Sequence, residues 1–273
     1  MLKLETKLSG TARKRKRSLL GLRVLAAAAA ASVTVCGLLA GDAGGSQTTP
    51  LASEPGVEQI LERMMHADRL TTPQLRNYTS IRKYELENKR FGKKASMTVR
   101  MRFRNPGRKE FEVLEEHGSA TIRSRVFRRM LATEVETSGD QLREATRITP
   151  QNYSFRLLGS ETLEGRRSFI LEATPRTKNA YLFRGKVWVD AEDWAISRIE
   201  GSPAKNPSAW VRRTVFVHRY GKFGPFWLPV HNHSETDVVV FGKTEVNIHY
   251  SGYEINHETD NPTTGGGPLS GAH

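Results

Sequence analysis

Apolar and polar residues alternate along this chain with two periods. Val57, Ile60, Leu61, Met64 and Met65 fall at helical spacing, with Ser53 as candidate N-cap, Pro55 in the first turn and an end before Thr71-Thr72-Pro73. From Tyr78 onward the period becomes two. Met97, Val99, Met101 and Phe103 alternate with Thr98, Arg100, Arg102 and Arg104, and Asn105-Pro106-Gly107 then turns the chain into Phe111 and Val113. A second helical stripe of Ile122, Val126, Phe127, Met130 and Leu131 lies within residues 121–138, opposite Arg123, Arg125, Arg128 and Arg129. Residues 139–150 extend that helix or form a loop. After Pro150 the pattern predicts strands near 153–163, 167–174, 181–190, 194–202, 209–220, 226–239 and 243–255, separated by short Gly-, Pro- and Asp-containing connections.

No strand is followed by the crossover helix that a parallel sheet needs, so the expected fold is α+β and mainly β. About ten antiparallel strands form a strongly curved sheet, an incomplete β-barrel, and the two helices cover its apolar face.

The ends of the chain differ from this body. Residues 1–23 carry eight Lys/Arg against Glu5, and an uncharged Ala-rich run over 24–41 follows, ended by small residues and Asp42. That is the pattern of an export signal over 1–43. Cleavage after Ala40 or Ala43, retention as an anchor and lipidation of Cys36 are the alternatives it leaves. Residues 44–52 read as a linker, 53–255 as the folded domain and 256–273 as a disordered tail. Cys36 is the only cysteine, so a processed chain has no disulfide, thiolate ligand or cysteine nucleophile. After Ala43 the chain holds 34 Lys/Arg against 27 Asp/Glu, enough to favour anionic surfaces without implying nucleic acid.

Motifs for catalysis are missing: there is no phosphate loop, no G-x-S-x-G elbow and no H-E-x-x-H helix. His231 and His233 share one face of a strand and, with His218 or His249, are the candidate metal ligands behind a hydrolase reading; two surface histidines are the plainer explanation. Asp190, Glu192 and Asp193 are read as a hairpin turn of solvated charges. Trp188, Trp194, Trp210 and Trp227 fall within 40 residues and read as core packing or as the lining of an acyl-chain cavity. The arginine row on the second helix is a solvated face or a clamp for lipid phosphates.

The segments GKVWVDAEDW (185–194), AISRIEGSPAKNPSAW (195–210), FVHRYGKFGPFWLP (216–229) and FGKTEVNIHYSGYEI (241–255) carry a resemblance to a known family. They resemble the bacterial outer-membrane lipoprotein-sorting proteins of the LolA/LolB superfamily, most clearly over 150–255 and more loosely over 55–150. The resemblance implies a curved sheet closed by helices around a cavity for the acyl chains of a lipoprotein or lipid. It also implies a monomeric periplasmic carrier with donor and acceptor membrane proteins, no cofactor and no catalytic group. Alternation places Met101, Phe103, Phe111 and Val113 on the inner wall and Phe127, Met130 and Leu131 under the helical lid. An envelope sensor or scaffold that binds a membrane protein is the competing reading.

Overall fold

The computed structural model describes residues 54–138, 140–206 and 209–257. The predicted signal, linker and most of the tail lie outside them, as does Ser53. Helix α1 spans Val57–Thr71, with Gly56 at its N-cap and no side-chain cap, and runs into a 3-10 turn over Thr72–Gln74. Ile60, Leu61 and Met64 form its buried face, the stripe expected from the sequence.

Ten strands follow the predicted pattern. β1 (Asn77–Asn88), β2 (Lys93–Arg104) and β3 (Arg108–Gly118) precede a helical stretch; β4 (Tyr153–Leu163), β5 (Arg166–Pro175), β6 (Phe183–Asp190), β7 (Ile196–Pro203), β8 (Val211–Phe223), β9 (Phe226–Val238) and β10 (Gly242–Ile255) come after it. All pair antiparallel in one sheet of order β3-β2-β1-β10-β9-β8-β7-β6-β5-β4. β3 and β4 are edges that do not pair with each other, so the barrel is incomplete. Where β6 meets β7, Gly185 and Gly201 are cross-strand partners, and a Cβ on Gly185 would stand 1.9 Å from the carbonyl oxygen of Glu200. Only glycine permits that approach.

The second helical stretch is less regular than its hydrophobic stripe. α2 (Ala120–Ile122) and α3 (Arg128–Thr137) flank a π-helical turn over Arg123–Phe127. Neither predicted alternative holds throughout 139–150: a separate helix, α4, spans Asp140–Thr146, and 147–150 are loop. The tail boundary also moves. Asn256 accepts from the backbone N–H of Arg76 at 2.8 Å and donates to the carbonyl of Gln74 at 2.8 Å, so the folded unit reaches that residue.

Each helical cover has its own half of the sheet. Ile60, Leu61 and Met64 of α1 pack on β4–β8 through Tyr153, Leu171, Val187, Ile199 and Phe216. Ile122, Phe127, Met130 and Leu131 pack on β1, β2 and β10 through Tyr84, Met97, Val99 and Ile248. Between the covers the packing is incomplete, and that is where the cavity lies.

Candidate functional site

A cavity of about 180 Å³ sits between α1, the 3-10 turn and the middle of the sheet. Met64, Met65 and Ala67 roof it, Tyr78, Phe103 and Tyr220 line its strand walls, and Trp194, Phe226 and Leu228 close the end formed by the β6–β7 and β8–β9 turns. Its lining is mainly apolar, with a few polar groups at defined places, the composition of a small-molecule pocket.

Those polar groups come from inward positions of the strands. In β1 the buried residues are Tyr78, Ser80, Arg82, Tyr84, Leu86 and Asn88, so strict alternation carries an arginine into the interior. Arg82 Nη1 donates to both oxygens of Glu134 on α3, at 2.8 and 3.0 Å, and Lys109 Nζ on β3 donates to Oε1 at 2.9 Å. The Arg82 guanidinium also lies over the rings of Tyr250 (5.0 Å) and Phe111 (5.4 Å). Burial by itself would raise the Glu134 carboxyl; Arg82 and Lys109 override it and hold the value at about 2. Strand β1 is thereby tied to the helical cover through charge.

Two further polar groups face the same space. His218 is buried beside Phe216, and burial lowers it to about 3, so it is a neutral imidazole at physiological pH. Asn232, its cross-strand partner, donates to the hydroxyl of Tyr250 at 2.8 Å. On the helical side, Asp68 follows Met64 by one turn and accepts from the Thr72 hydroxyl at 2.7 Å. Burial raises Asp68 to about 6, with Thr72 and Arg147 acting in the opposite direction.

No family model matches the sequence, and no curated protein does. Solved structures do. The chain is similar to an outer membrane lipoprotein-sorting protein domain from Vibrio parahaemolyticus at 13% identity and TM-score 0.40, over 75% of this chain and 94% of that one. It is similar to a DUF1329 family protein from Desulfovibrio piger at 14% identity and TM-score 0.40, over 75% and 95%. A LolA superfamily protein from Nitrosomonas europaea matches at 11% identity and TM-score 0.39, over 75% and 96%.

Of the residues that alternation places on the inner wall, Phe103 lines the cavity. Met101 is fully buried against Tyr78, Phe226 and Leu228, and Phe111 lies between two packed clusters. Phe127, Met130 and Leu131 are packed under the helical cover, and Val113 on edge strand β3 is 37% exposed. The arginine row stands away from the cavity, with Arg123 and Arg128 directed at Glu116 on β3.

Trp194 and Trp227 line the cavity, whereas Trp188 is core and Trp210 is exposed. Asp190 corrects the reading of a solvated turn. It is fully buried, takes two 2.7 Å bonds from Arg166 and accepts the N–H groups of Glu192 and Asp193.

The histidines divide between the faces. His231 and His233 both hydrogen-bond Asn247, at 3.2 and 2.9 Å, and His249 stacks on His231 at 4.6 Å, while His218 points into the cavity. Among the described residues no group of three or more His, Cys, Asp or Glu is placed to hold a metal ion.

Sequence reasoning missed Arg82, Asp68 and Asn232. The signal was present in the alternation of β1 and β9 and in the spacing Met64, Asp68, Thr72 along one helical face.

Proposed function

We propose that this chain is an exported, non-enzymatic carrier that shields the acyl chains of a lipoprotein or lipid in this cavity and delivers them to the outer membrane. The observation that supports it is the apolar space between α1 and the sheet, walled by Met64, Met65, Phe103, Trp194, Phe226 and Leu228. Each methylene withdrawn from water contributes about 0.8 kcal/mol, so a long chain binds without any catalytic group.

The cavity, at about 180 Å³, is smaller than the roughly 300–1,000 Å³ of pockets that engulf whole ligands. Uptake therefore requires α1 to move outward, and the flexible side chains of Met64 and Met65 suit a roof that repacks around different chains. In the open form the wall extends to Met101, Phe111, Phe127, Met130 and Leu131, with Val113 at its rim. The periplasmic location follows from reading residues 1–43 as an export signal.

Tryptophan fluorescence of the full chain tests this. Phospholipid with brominated acyl chains is expected to quench Trp194 and Trp227, and the quenching should be lost when both are replaced by phenylalanine. Lipid extracted from the purified protein, identified by mass spectrometry, would name the cargo. A protein that carries no lipid, takes up none and leaves these tryptophans unquenched would refute the carrier. If that protein also retained one envelope membrane protein in pull-downs, the sensor or scaffold reading would replace it.

A further inference from the structure

The end of the sheet opposite the cavity carries exposed apolar side chains. Phe91 in the β1–β2 turn is 52% exposed, Val240 and Phe241 in the β9–β10 turn 52% and 58%, and Trp210, just before β8, 56%. Exposed large apolar residues scattered singly need no explanation, but these are contiguous. The rings of Phe91 and Phe241 are 6.4 Å apart, and the backbone N–H of Val239 donates to the carbonyl of Trp210 at 2.9 Å.

This tip is built and held. Buried Asn88 donates to the carbonyl of Phe241 at 2.9 Å and to the Thr244 hydroxyl at 2.8 Å, and its own Oδ1 accepts from the N–H of Phe91 at 3.0 Å. One side chain thus fixes two turns that are 150 residues apart in the sequence, and it fixes them with their aromatic rings outward.

The charge around the rings has one sign. Residues 88–94, 205–213 and 238–243 together hold eight Lys and Arg and no Asp or Glu. Four of these cations pair with carboxylates on the strands behind: Lys89 with Glu245, Lys94 with Glu87, Lys243 with Glu235 and Arg212 with Asp237. The tip itself keeps an excess of about four positive charges, and Arg90 lies over the Phe91 ring.

We propose that this tip docks on an anionic lipid bilayer, with the aromatic rings entering the headgroup region and the surrounding cations on lipid phosphates. Rings at the interface supply apolar burial, and each nearby cation adds attraction to an anionic leaflet. Among the described residues no helix is long and apolar enough to cross a membrane. From Asn88 back to Arg82, the first residue of β1 at the cavity, is six residues of strand, about 20 Å at roughly 3.3 Å per residue. Docking therefore holds the cavity end away from the membrane.

The test uses the full chain with Cys36→Ser and a single environment-sensitive fluorophore on Val240→Cys. With phosphatidylglycerol-containing vesicles the label is expected to shift to the blue. Phosphatidylcholine vesicles alone should leave it unchanged, and the same label on Leu158→Cys, exposed on edge strand β4, should stay in water. The double substitution Phe91→Ser and Phe241→Ser, at exposed positions outside the core, should weaken the anionic-vesicle response at least about tenfold, as should a rise in salt.

A protein that sediments with the vesicles while the label at 240 stays in water would overturn the proposal, because residues 1–43 would then be making the contact. An equal response to neutral vesicles would overturn its electrostatic part. Cavity loading is read by Trp194 and Trp227 at the far end, so failure of one reading leaves the other measurable.

Discussion

Replacing Glu134 by glutamine is expected to destabilise the protein by about 3–5 kcal/mol at neutral pH, the cost of breaking a buried ion pair from one side. The substitution keeps the shape of the side chain and removes its charge. Arg82 then keeps a buried guanidinium without the carboxylate it donates to at 2.8 and 3.0 Å. Urea unfolding followed by circular dichroism would read this as a lower midpoint at unchanged slope.

The pH dependence gives a second signature. Glu134 is held at about 2, below its ordinary 4.5, so its stabilisation is complete above pH 4.5 and is lost as the pH falls toward 2. The wild type should show that acid loss and the glutamine variant should not. A variant as stable as the wild type at pH 7 would mean that the charge contact between β1 and α3 contributes nothing net.

Asp68→Asn should act in the opposite direction. Burial raises the Asp68 carboxyl from 3.8 to about 6, so the folded state prefers it protonated, and above pH 6 the ionised form weakens the fold. Stability from this group is regained as the pH falls from 6 toward 4. One pKa step is worth about 1.4 kcal/mol, and since this carboxyl is only half-buried in the cavity wall we expect the asparagine variant to gain about 2 kcal/mol at pH 7.5. The gain should shrink to nothing near pH 4, where both proteins are neutral at this position. Thermal unfolding at the two pH values checks it, and equal shifts at both would exclude titration of Asp68 as the cause.

The sheet was legible because its signal is local. Alternation such as Met97, Val99, Met101 and Phe103 needs no knowledge of the partner strand, and each predicted strand lies within a few residues of its observed bounds. The π-helical turn at Arg123–Phe127 was not legible, since a stripe of Ile122, Val126, Phe127, Met130 and Leu131 fits an unbroken helix equally well. Helix α4 has no apolar stripe of its own beyond Leu142 and Ala145, and so left no periodic trace.

The cavity was harder for a different reason. Its wall joins β1, β8, β9 and β10, and the adjacency of β1 and β10 is set by pairing between residues about 160–180 apart. Alternation identified which residues face inward, but not which of them meet a helix and which meet a void. Phe103 meets the void, whereas Met101, two residues earlier, is closed over by Tyr78, Phe226 and Leu228. Arg82 was passed over because an inward arginine is intelligible only once Glu134 is seen opposite it.

The place of β10 in the sheet has a consequence for how the molecule is made. The strand that joins β1 to β9 is the last of the ten described strands to be synthesised, so until residue 255 is present the first three strands and strands β4–β9 are two separate sheets with open inner edges. Contacts of such sequence separation form slowly, because the entropy of closing the chain is lost before they reward it. The two halves can therefore complete their common sheet only once β10 has been made.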